Sequence, residues 1–384
     1  MHAILTSPAF PSACGRQVLA RHDVTVIGLP DSDALAEARF AALAEPGARF
    51  AIDSERFLAW SAHLPFHAQQ AVEALADKAT FRNRMNAAGL CARAESVAYP
   101  LQALRVGVGW QEVRTALDGA AAVVLKPVRG FQSDLVAICR DEAQWQAAVA
   151  RALSPPPGVS PVTDGTRMIA ERYIDGPEYA VDAWIDDAGS AVIVGIHLHP
   201  FRDALDARDI VYRTSPRIMR RLRPAFETAL GGWSRMLGLR SIAVHVELRI
   251  AAGGQLFPIE FNPLRFGLLT MDIALHAYGL NAYDSLFDGR RPDWTAIERD
   301  ADSATDTGLV VAPFAHGQGE GVEPDHAAFV RTLRERGLTV LDLHRLPHRD
   351  IPFFAAAYVS GPAEAMDSFL FEDFSRYAVA TTPA

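Results

Sequence analysis

Two carboxylates and an amide near the middle of the chain have a spacing that suits metal binding. They lie in the segment SIAVHVELRIAAGGQLFPIEFNP, which alternates apolar and polar side chains on both sides of a Gly-Gly pair. Both glycines can take positive φ, so the pair predicts a tight hairpin turn. In that hairpin Glu247 lies opposite Glu260, and Asn262 follows Glu260 on the same face of the sheet.

Two like charges that face each other across a β ladder destabilise it unless a cation lies between them. Glu247, Glu260 and Asn262 offer only oxygen ligands, and such a set suits Mg²⁺ or Mn²⁺. The alternative is a solvated sheet face on which the glutamates are simply polar. The opposed acids, with an amide two positions beyond, favour the metal interpretation.

The same register predicts which side chains face the core. A two-residue turn at Gly253-Gly254 predicts three apolar pairs on one side of the hairpin: Ile250 with Phe257, Leu248 with Ile259, and Val246 with Phe261.

Lysine occurs only at Lys78 and Lys126, whereas arginine occurs 35 times. Because Mg²⁺ usually binds through a few carboxylates and phosphate oxygens, the metal hypothesis implies a phosphate ligand. A lysine ammonium suits phosphate as a compact point charge, whereas arginine presents a planar fork. Lys126 is predicted to end a buried strand, just before the small and polar loop RGFQSD, whose N–H groups suit phosphate. The alternative is that two lysines remain by chance.

Strands and helices alternate around these residues, which is typical of an α/β protein. The chain begins with a predicted strand, helix and strand, but without the glycine fingerprint of a dinucleotide site. A helical stretch follows, in which Asp77 is a candidate N-cap and Gly89 a candidate C-cap. That cap places Lys78 in the first turn of a helix.

Composition excludes several classes of protein. The chain has 384 residues and a formal net charge of −9, which argues against general affinity for nucleic acid or anionic membranes. Three widely separated cysteines indicate neither a disulfide framework nor a zinc site. The N-terminus does not read as a secretory signal, and no apolar run is long enough to span a bilayer. We therefore expect a cytoplasmic protein.

Together these motifs resemble the ATP-grasp superfamily, in particular its carboxylate–amine ligases. By that resemblance Lys78 and Lys126 contact nucleotide phosphates, and AERYIDGPEYAVD is the hinge between two lobes that hold ATP. The resemblance implies three groups of site residues: Lys78, Lys126, Ser133, Glu171, Tyr173, Ile174 and Glu178 for ATP; Glu247, Glu260 and Asn262 for Mg²⁺ or Mn²⁺; and Arg265 with Lys126 for catalysis. Glu171 would accept from the adenine amino group, and Glu178 would bind the ribose hydroxyls.

The chain departs from the family pattern at three places. Where the family loop often reads Ser-x-Gly, Ser133 is followed by Asp134 and Leu135. Arg265 stands one residue later than the usual arginine after the metal asparagine. His245 stands where dipeptide-forming members commonly have arginine.

The resemblance implies an α/β, ATP-grasp fold in four parts. These are a Rossmann-like pre-ATP-grasp domain at 1–77, a first lobe at 78–185, a second lobe with the metal hairpin at 186–300, and a small α/β segment at 305–384. For the last segment, three alternatives remain open: closure over the cleft, formation of a homodimer, or neither of these.

The activity implied is ATP-dependent activation of a carboxylate as an acyl phosphate, followed by attack of an amine, with amino acids as the first candidates for both substrates. Arg202, Arg213 and His245 are weaker candidates for substrate contacts. Phosphotransfer without ligation and a non-catalytic nucleotide-binding module are the alternatives. A hydrolase is disfavoured, because the chain has no G-x-S-x-G motif.

Overall fold

The computed structural model describes residues 2–6, 12–28, 49–53, 57–58, 66–89, 91, 93–130, 133–156, 163–300, 305–314, 322–346 and 352–380. The chain begins with a small parallel sheet of order β2-β1-β3. Its elements are β1 (His2–Thr6), α1 (Ala13–Leu19), β2 (Val24–Gly28) and β3 (Arg49–Ile52). The predicted strand, helix and strand at the start of the chain are confirmed.

Two helices lead from this sheet to the first lobe, α2 (Phe66–Leu75) and α3 (Lys78–Ala88). Asp77 caps α3 by accepting a hydrogen bond from the Thr80 amide at 2.9 Å. Gly89 ends the helix with a φ of +65°, a conformation that glycine adopts without strain. Lys78 therefore lies in the first turn of α3, as predicted.

The first lobe is a four-stranded antiparallel sheet of order β4-β7-β5-β6. Its elements are β4 (Ser96–Pro100), α4 (Leu101–Val106), α5 (Trp110–Ala116), β5 (Val123–Arg129), β6 (Ala137–Cys139), α6 (Glu142–Leu153) and β7 (Asp164–Arg172). Trp110 and Trp145 lie in the core between the helices and the sheet. Strand β5 continues three residues past Lys126, so the prediction that Lys126 ends its strand is wrong.

The second lobe and the C-terminal segment share one eight-stranded sheet of order β12-β11-β8-β9-β10-β13-β16-β15. The second lobe contributes β8 (Glu178–Ile185), β9 (Ala191–His199), β10 (Val211–Thr214), α7 (Pro216–Leu237), β11 (Ile242–Ile250), β12 (Leu256–Pro263), α8 (Thr270–Tyr278), α9 (Ala282–Asp288) and α10 (Trp294–Ile297). Since β8 pairs with β9 and β11, this strand lies in the sheet of the second lobe, although the predicted first lobe extended to residue 185.

The C-terminal segment contains β13 (Asp306–Pro313), β14 (Val322–Pro324), α11 (His326–Glu335), β15 (Thr339–Arg345), β16 (Phe353–Gly361), α12 (Ala363–Asp367), two 3₁₀ turns (Ser368–Phe371 and Phe374–Tyr377) and β17 (Ala378–Ala380). Strand β13 pairs with β10, so this segment extends the sheet of the second lobe rather than forming a separate sheet. None of the helices in the described ranges combines the length and hydropathy needed to cross a membrane.

Helices cover both faces of the eight-stranded sheet. Helix α7 packs its apolar side chains, among them Phe226 and Trp233, against Val246 and its neighbours on one face. On the opposite face Ile273 of α8 packs against Leu309 of β13. The polar face of the hairpin is on the α8 side of the sheet.

The hairpin register agrees with the prediction at the acids but not near the turn. Glu247 pairs with Glu260 and Val246 with Phe261, as predicted. A β-bulge then shifts the register, so Leu248 pairs with Pro258 and Ile250 with Leu256, and the two predicted pairs closest to the turn are wrong. The extra residue of the bulge is Ile259, which lines the cleft. Gly253 and Gly254 have the predicted positive φ, +84° and +78°. The predicted two-residue turn is wrong, because Ala251 bonds to Gln255 and the loop between them holds three residues.

Candidate active site

One cleft of about 250 Å³ lies between the two lobes. Every residue predicted to bind nucleotide or metal lines it: Lys78, Lys126, Ser133, Glu171, Tyr173, Ile174, Glu178, Glu247, Glu260 and Asn262. Arg265 and His245 line it too. Residues nearly two hundred positions apart in the sequence therefore converge on a single cavity.

Glu171 joins two buried cations at one end of this cleft. Its carboxylate accepts hydrogen bonds from Arg82 Nε at 2.7 Å and pairs with Lys126 Nζ at 2.6 Å. Burial alone would raise the pKa of Glu171, but Arg82 and Lys126 outweigh it and hold the pKa at about 2. The sequence reasoning missed Arg82, although it lies one helical turn after Lys78 on the same face of α3.

Lys78 connects the first lobe to the metal hairpin. Its ammonium lies 3.1 Å from Glu260 Oε1 and donates to the Gly130 carbonyl at 3.2 Å. Gly130 begins the loop between β5 and β6, which was predicted to contact phosphate. Thus the N-terminus of α3, the loop and the hairpin meet at one ammonium group.

Glu247 and Glu260 face each other in the cleft with opposite electrostatic surroundings. Burial and the negative charges of Glu260 and Glu178 raise the pKa of Glu247 to about 8. Burial also disfavours the charged form of Glu260, but Lys78 and Lys126 outweigh that effect and lower its pKa. The site around Glu247 therefore lacks positive charge, which a divalent cation would supply.

The proposed metal ligands are two glutamates and one asparagine. Asn262 is 5% exposed and follows Glu260 on the cleft side of β12. Within the described ranges, no group of three or more His, Cys, Asp or Glu side chains is arranged to hold a metal ion. The metal hypothesis therefore depends on the amide oxygen of Asn262, and on phosphate oxygens, to complete the ligand set.

A second buried network surrounds Glu178. Arg249 Nε donates to Glu178 Oε2 at 2.7 Å, and His199 Nδ1 lies 3.2 Å from Oε1. Burial would raise the pKa of Glu178, but His199 and Arg249 hold it at about 2. Arg249 also donates to the Ile174 carbonyl at 2.8 Å and lies 4.7 Å from the centre of the Tyr173 ring, which fixes the hinge between β7 and β8. The sequence analysis did not predict Arg249, although it follows Glu247 on the same strand face.

His245 is held in the cleft by a fully buried carboxylate. Its Nδ1 lies 2.8 Å from Asp182 Oδ1, and its Nε2 lies 3.8 Å from Glu247. Asp182 also accepts hydrogen bonds from the Gly267 amide at 2.7 Å and the Thr270 hydroxyl at 2.8 Å. Burial would raise the pKa of Asp182, but His245 and His197 outweigh it and lower that pKa. Asp182 is adjacent to His245 only through the pairing of β8 with β11, which the sequence analysis did not predict.

The structure does not bring Arg202 and Arg213 to the cleft. Arg202 pairs with its neighbour Asp203 at 3.0 Å. Arg213 donates to Asp306 at 2.6 Å and to Asp367 at 3.0 Å, so it links β10 to the C-terminal segment. Neither of these two arginines has the placement expected of a substrate contact.

The loop after Lys126 contains two residues other than glycine in the left-handed backbone region. Leu135, which stands in place of the family glycine, has a φ of +57°, in the left-handed region. Ser133 also has a positive φ of +55° and lies 3.5 Å from Asp209 of the second lobe. Leu135 therefore adopts a left-handed conformation that glycine would take without strain.

Comparison with known proteins identifies the domain that supplies most of the residues lining this cleft. Residues 120–272, from three residues before β5 to the first turn of α8, match the sequence model of the ATP-grasp domain. The chain contains an ATP-grasp domain. Among curated proteins, none matches the chain in sequence.

Solved structures with an ATP-grasp fold superpose on most of the chain. The L-amino acid ligase from Bacillus licheniformis has a TM-score of 0.65 at 16% identity, over 100% of this chain and 99% of that chain. The ADP complex of purK, an N5-carboxyaminoimidazole ribonucleotide synthetase, has a TM-score of 0.59 at 13% identity, over 96% of each chain. The biotin carboxylase domain of Hydrogenobacter thermophilus 2-oxoglutarate carboxylase, solved with MgADP, has a TM-score of 0.55 at 17% identity, over 94% of this chain and 86% of that chain. These likenesses confirm the predicted fold.

Proposed function

We propose that this protein is an ATP-dependent ligase that activates a carboxylate as an acyl phosphate and joins it to an amine, releasing ADP and phosphate. The proposal is supported most directly by the residues that line one cleft, most of which belong to the ATP-grasp domain. Two lysines, two opposed glutamates, Asn262 and Arg265 line that cleft beside a hinge suited to a nucleotide. The structural likeness to an L-amino acid ligase supports amino acids as substrates.

We assign Glu247, Glu260 and Asn262 as ligands of Mg²⁺ or Mn²⁺. The raised pKa of Glu247 supports the assignment, because a cation between the acids would stabilise both as carboxylates. Bound there, the ion would neutralise phosphate charge and polarise the phosphoryl group that is transferred.

Lys78 and Lys126 are proposed to bind the phosphates of ATP. Each ammonium is buried and paired with a carboxylate, Lys78 with Glu260 and Lys126 with Glu171. Phosphate oxygens would share or replace these partners when ATP binds, and the buried setting strengthens the interaction.

The hinge is proposed to hold adenine and ribose. The Tyr173 amide already donates to the Ala122 carbonyl at 3.0 Å, and the Ile174 carbonyl accepts from Arg249. We therefore assign the Tyr173 carbonyl and the Ile174 amide to the adenine edge. Glu171 is proposed to accept from the adenine amino group, and Glu178 to accept from the ribose hydroxyls.

The reaction brings two anions together, so the chain must supply positive charge where the phosphoryl group moves. The γ-phosphoryl group passes to a carboxylate oxygen and ADP leaves. The amine nitrogen then attacks the acyl carbon, the C–O bond to phosphate breaks, and the amine loses a proton. Lys126 and Arg265 are assigned to stabilise the transferred group, and the enclosed cleft protects the acyl phosphate from water.

The test is a screen of ATP consumption over pairs of amino acids and small acids, with mass spectrometry of the products. A ligase requires both an acid and an amine to form ADP, phosphate and a condensed product. Stimulation by one acid alone, with a phosphorylated product, would replace the proposal with phosphotransfer. ATP binding with no turnover for any pair would indicate a non-catalytic nucleotide-binding module.

The metal assignment is tested by Glu260→Gln, with Glu335→Gln as the matched control on the exposed end of α11. Loss of a ligand in the phosphoryl-transfer site is expected to lower kcat by a factor of about 100 or more. The control variant is expected to keep the activity of the unmodified protein. Equal activity of both variants would contradict the assignment.

A further inference from the structure

The floor of the cleft changes from charged to apolar across one face of the eight-stranded sheet. One row of paired residues crosses this face. Arg249 of β11 pairs with Glu178 of β8, and Glu178 pairs with His199 of β9. The His199 ring stacks on Tyr212 of β10 at 4.0 Å, and Tyr212 pairs with Leu309 of β13. Because neighbouring strands lie about 4.8 Å apart, this row spans about 19 Å. The Arg249 end of the row lies beside Glu247, which precedes Arg249 by two residues on β11, and the C-terminal segment forms the other end.

The far end of the cavity is lined by aliphatic and aromatic side chains. Leu309, Val311 and Leu346 are at least 94% buried, and Leu269 and Phe353 are half-buried beside them. All five line the same cavity as the predicted ATP site. Four of the five come from the C-terminal segment, so this segment supplies a wall of the active-site cleft.

Two acidic residues that line the cavity just before β10 already have partners in the protein. Asp206 pairs with Arg208 at 2.7 Å, and Asp209 accepts a hydrogen bond from the Tyr212 hydroxyl at 2.9 Å. An ammonium or carboxylate entering this end of the cleft would therefore lose water without gaining a partner of its own. An apolar group would gain from burial instead.

A short segment joins the two ends of the cavity. Arg265, Leu268 and Leu269 all line it, and they are separated by only four residues in sequence. Arg265 follows Asn262 by three residues, just past the end of β12, and lines the cavity together with Glu260, so this residue lies near the acids. A small acid whose carboxylate lies beside Arg265 would therefore have Leu268 and Leu269 beside the rest of the molecule.

We propose that the apolar end of the cleft is the side-chain pocket for the acid that is activated. That acid is an amino acid, or a related carboxylic acid, with an uncharged aliphatic or aromatic side chain. The inference rests on the proposed ligase function and gives the C-terminal segment the role of selecting the substrate.

The first experiment compares Leu269→Ala and Phe353→Ala with Phe371→Ala, a control whose ring is 71% exposed on the surface. In the unmodified protein we expect kcat/KM for leucine, methionine or phenylalanine as the activated acid to exceed that for aspartate, glutamate or lysine at least tenfold. Truncating a pocket wall is expected to lower kcat/KM for the preferred acid about tenfold or more, while the KM for ATP changes less than twofold. The control is expected to change neither constant.

Three results would overturn the inference: equal use of charged acids, pocket variants that change the KM for ATP as much as that for the acid, or a control that behaves like the pocket variants.

Calorimetry of acid binding to the complex with a non-hydrolysable ATP analogue separates this inference from the proposed function. Binding of apolar acids that weakens in Phe353→Ala, without product formation from any pair, would support the pocket and refute the ligase. Ligation of charged acids only would support the ligase and refute the pocket.

Discussion

The buried triad of Arg82, Glu171 and Lys126 offers a sharp test of the electrostatics of the first lobe. The change Glu171→Gln keeps the size of the side chain but removes the only negative charge in the triad. The two cations would then face each other, with side chains 3% and 5% exposed. We expect a large loss of stability, because a buried charge that loses its partner is strongly destabilising.

The magnitude follows from the pKa of Glu171. In the folded protein this pKa is about 2, compared with an ordinary value of 4.5. Since a tenfold change in an equilibrium constant is worth about 1.4 kcal/mol, the difference stabilises the folded state by about 3 kcal/mol at pH 7. Because the folded pKa is the lower one, this contribution is complete above pH 4.5 and is lost as the pH falls toward 2. Between pH 7 and pH 4 about 1 kcal/mol should disappear.

The assay is urea unfolding of the unmodified protein and the variant at pH 7 and pH 4. The free energy of unfolding of Glu171→Gln should be lower by about 3 kcal/mol at pH 7, and the difference should shrink by about 1 kcal/mol at pH 4. Glu95→Gln is the control, because Glu95 pairs with Arg172 at 2.8 Å where both side chains are about a quarter to a third exposed. That pair should contribute less than about 1 kcal/mol. A loss for Glu171→Gln no larger than that for the control would refute the reasoning.

Other predictions concern residues outside the triad. Arg213→Gln should lower the free energy of unfolding by about 3 kcal/mol, because it leaves the buried Asp306 without its guanidinium. Its kinetic constants for ATP should stay within twofold, and a large rise in KM would show that Arg213 does contact substrate. Gly176→Ala should destabilise by roughly 3 kcal/mol or more, because an added Cβ would lie 2.1 Å from the Ile250 carbonyl oxygen. Gly253→Ala, where the space is open but φ is +84°, should destabilise by only about 1–2 kcal/mol, and thermal unfolding of both variants measures the difference.

The fold was predictable where local signals agreed with each other. Asp77 and Gly89 mark the two ends of α3 through their own chemistry, and the structure has caps at both positions. The opposed pair of Glu247 and Glu260 followed from strand alternation around two glycines. These features depend on a few neighbouring residues, so the sequence pattern alone was enough to predict them.

The rest depended on tertiary contacts that no local pattern encodes. The exception is the bulge at Ile259, which breaks the period of two and has a local signal in the preceding Pro258, since strands tolerate proline at bulges. The loop between Ala251 and Gln255 holds three residues instead of the predicted two, so the predicted pairing fails near the turn. The bulge compensates for that shift, so the pairing holds at Glu247. Asp182 and Arg249 take their roles from strands that pair across a long separation in sequence. Arg213 was predicted to contact substrate because of its charge alone. In the folded structure Asp306 and Asp367 lie beside it and neutralise that charge.

The account depends most on a divalent ion held by Glu247, Glu260 and Asn262 together with a triphosphate. The most direct measurement is a titration of Mn²⁺ into the protein, followed by electron paramagnetic resonance in the presence of a non-hydrolysable ATP analogue. We predict saturable Mn²⁺ binding that weakens about tenfold or more in Glu260→Gln and is unchanged in Glu335→Gln. Equal Mn²⁺ affinity in the two variants, or no analogue-dependent binding to the unmodified protein, would contradict the account.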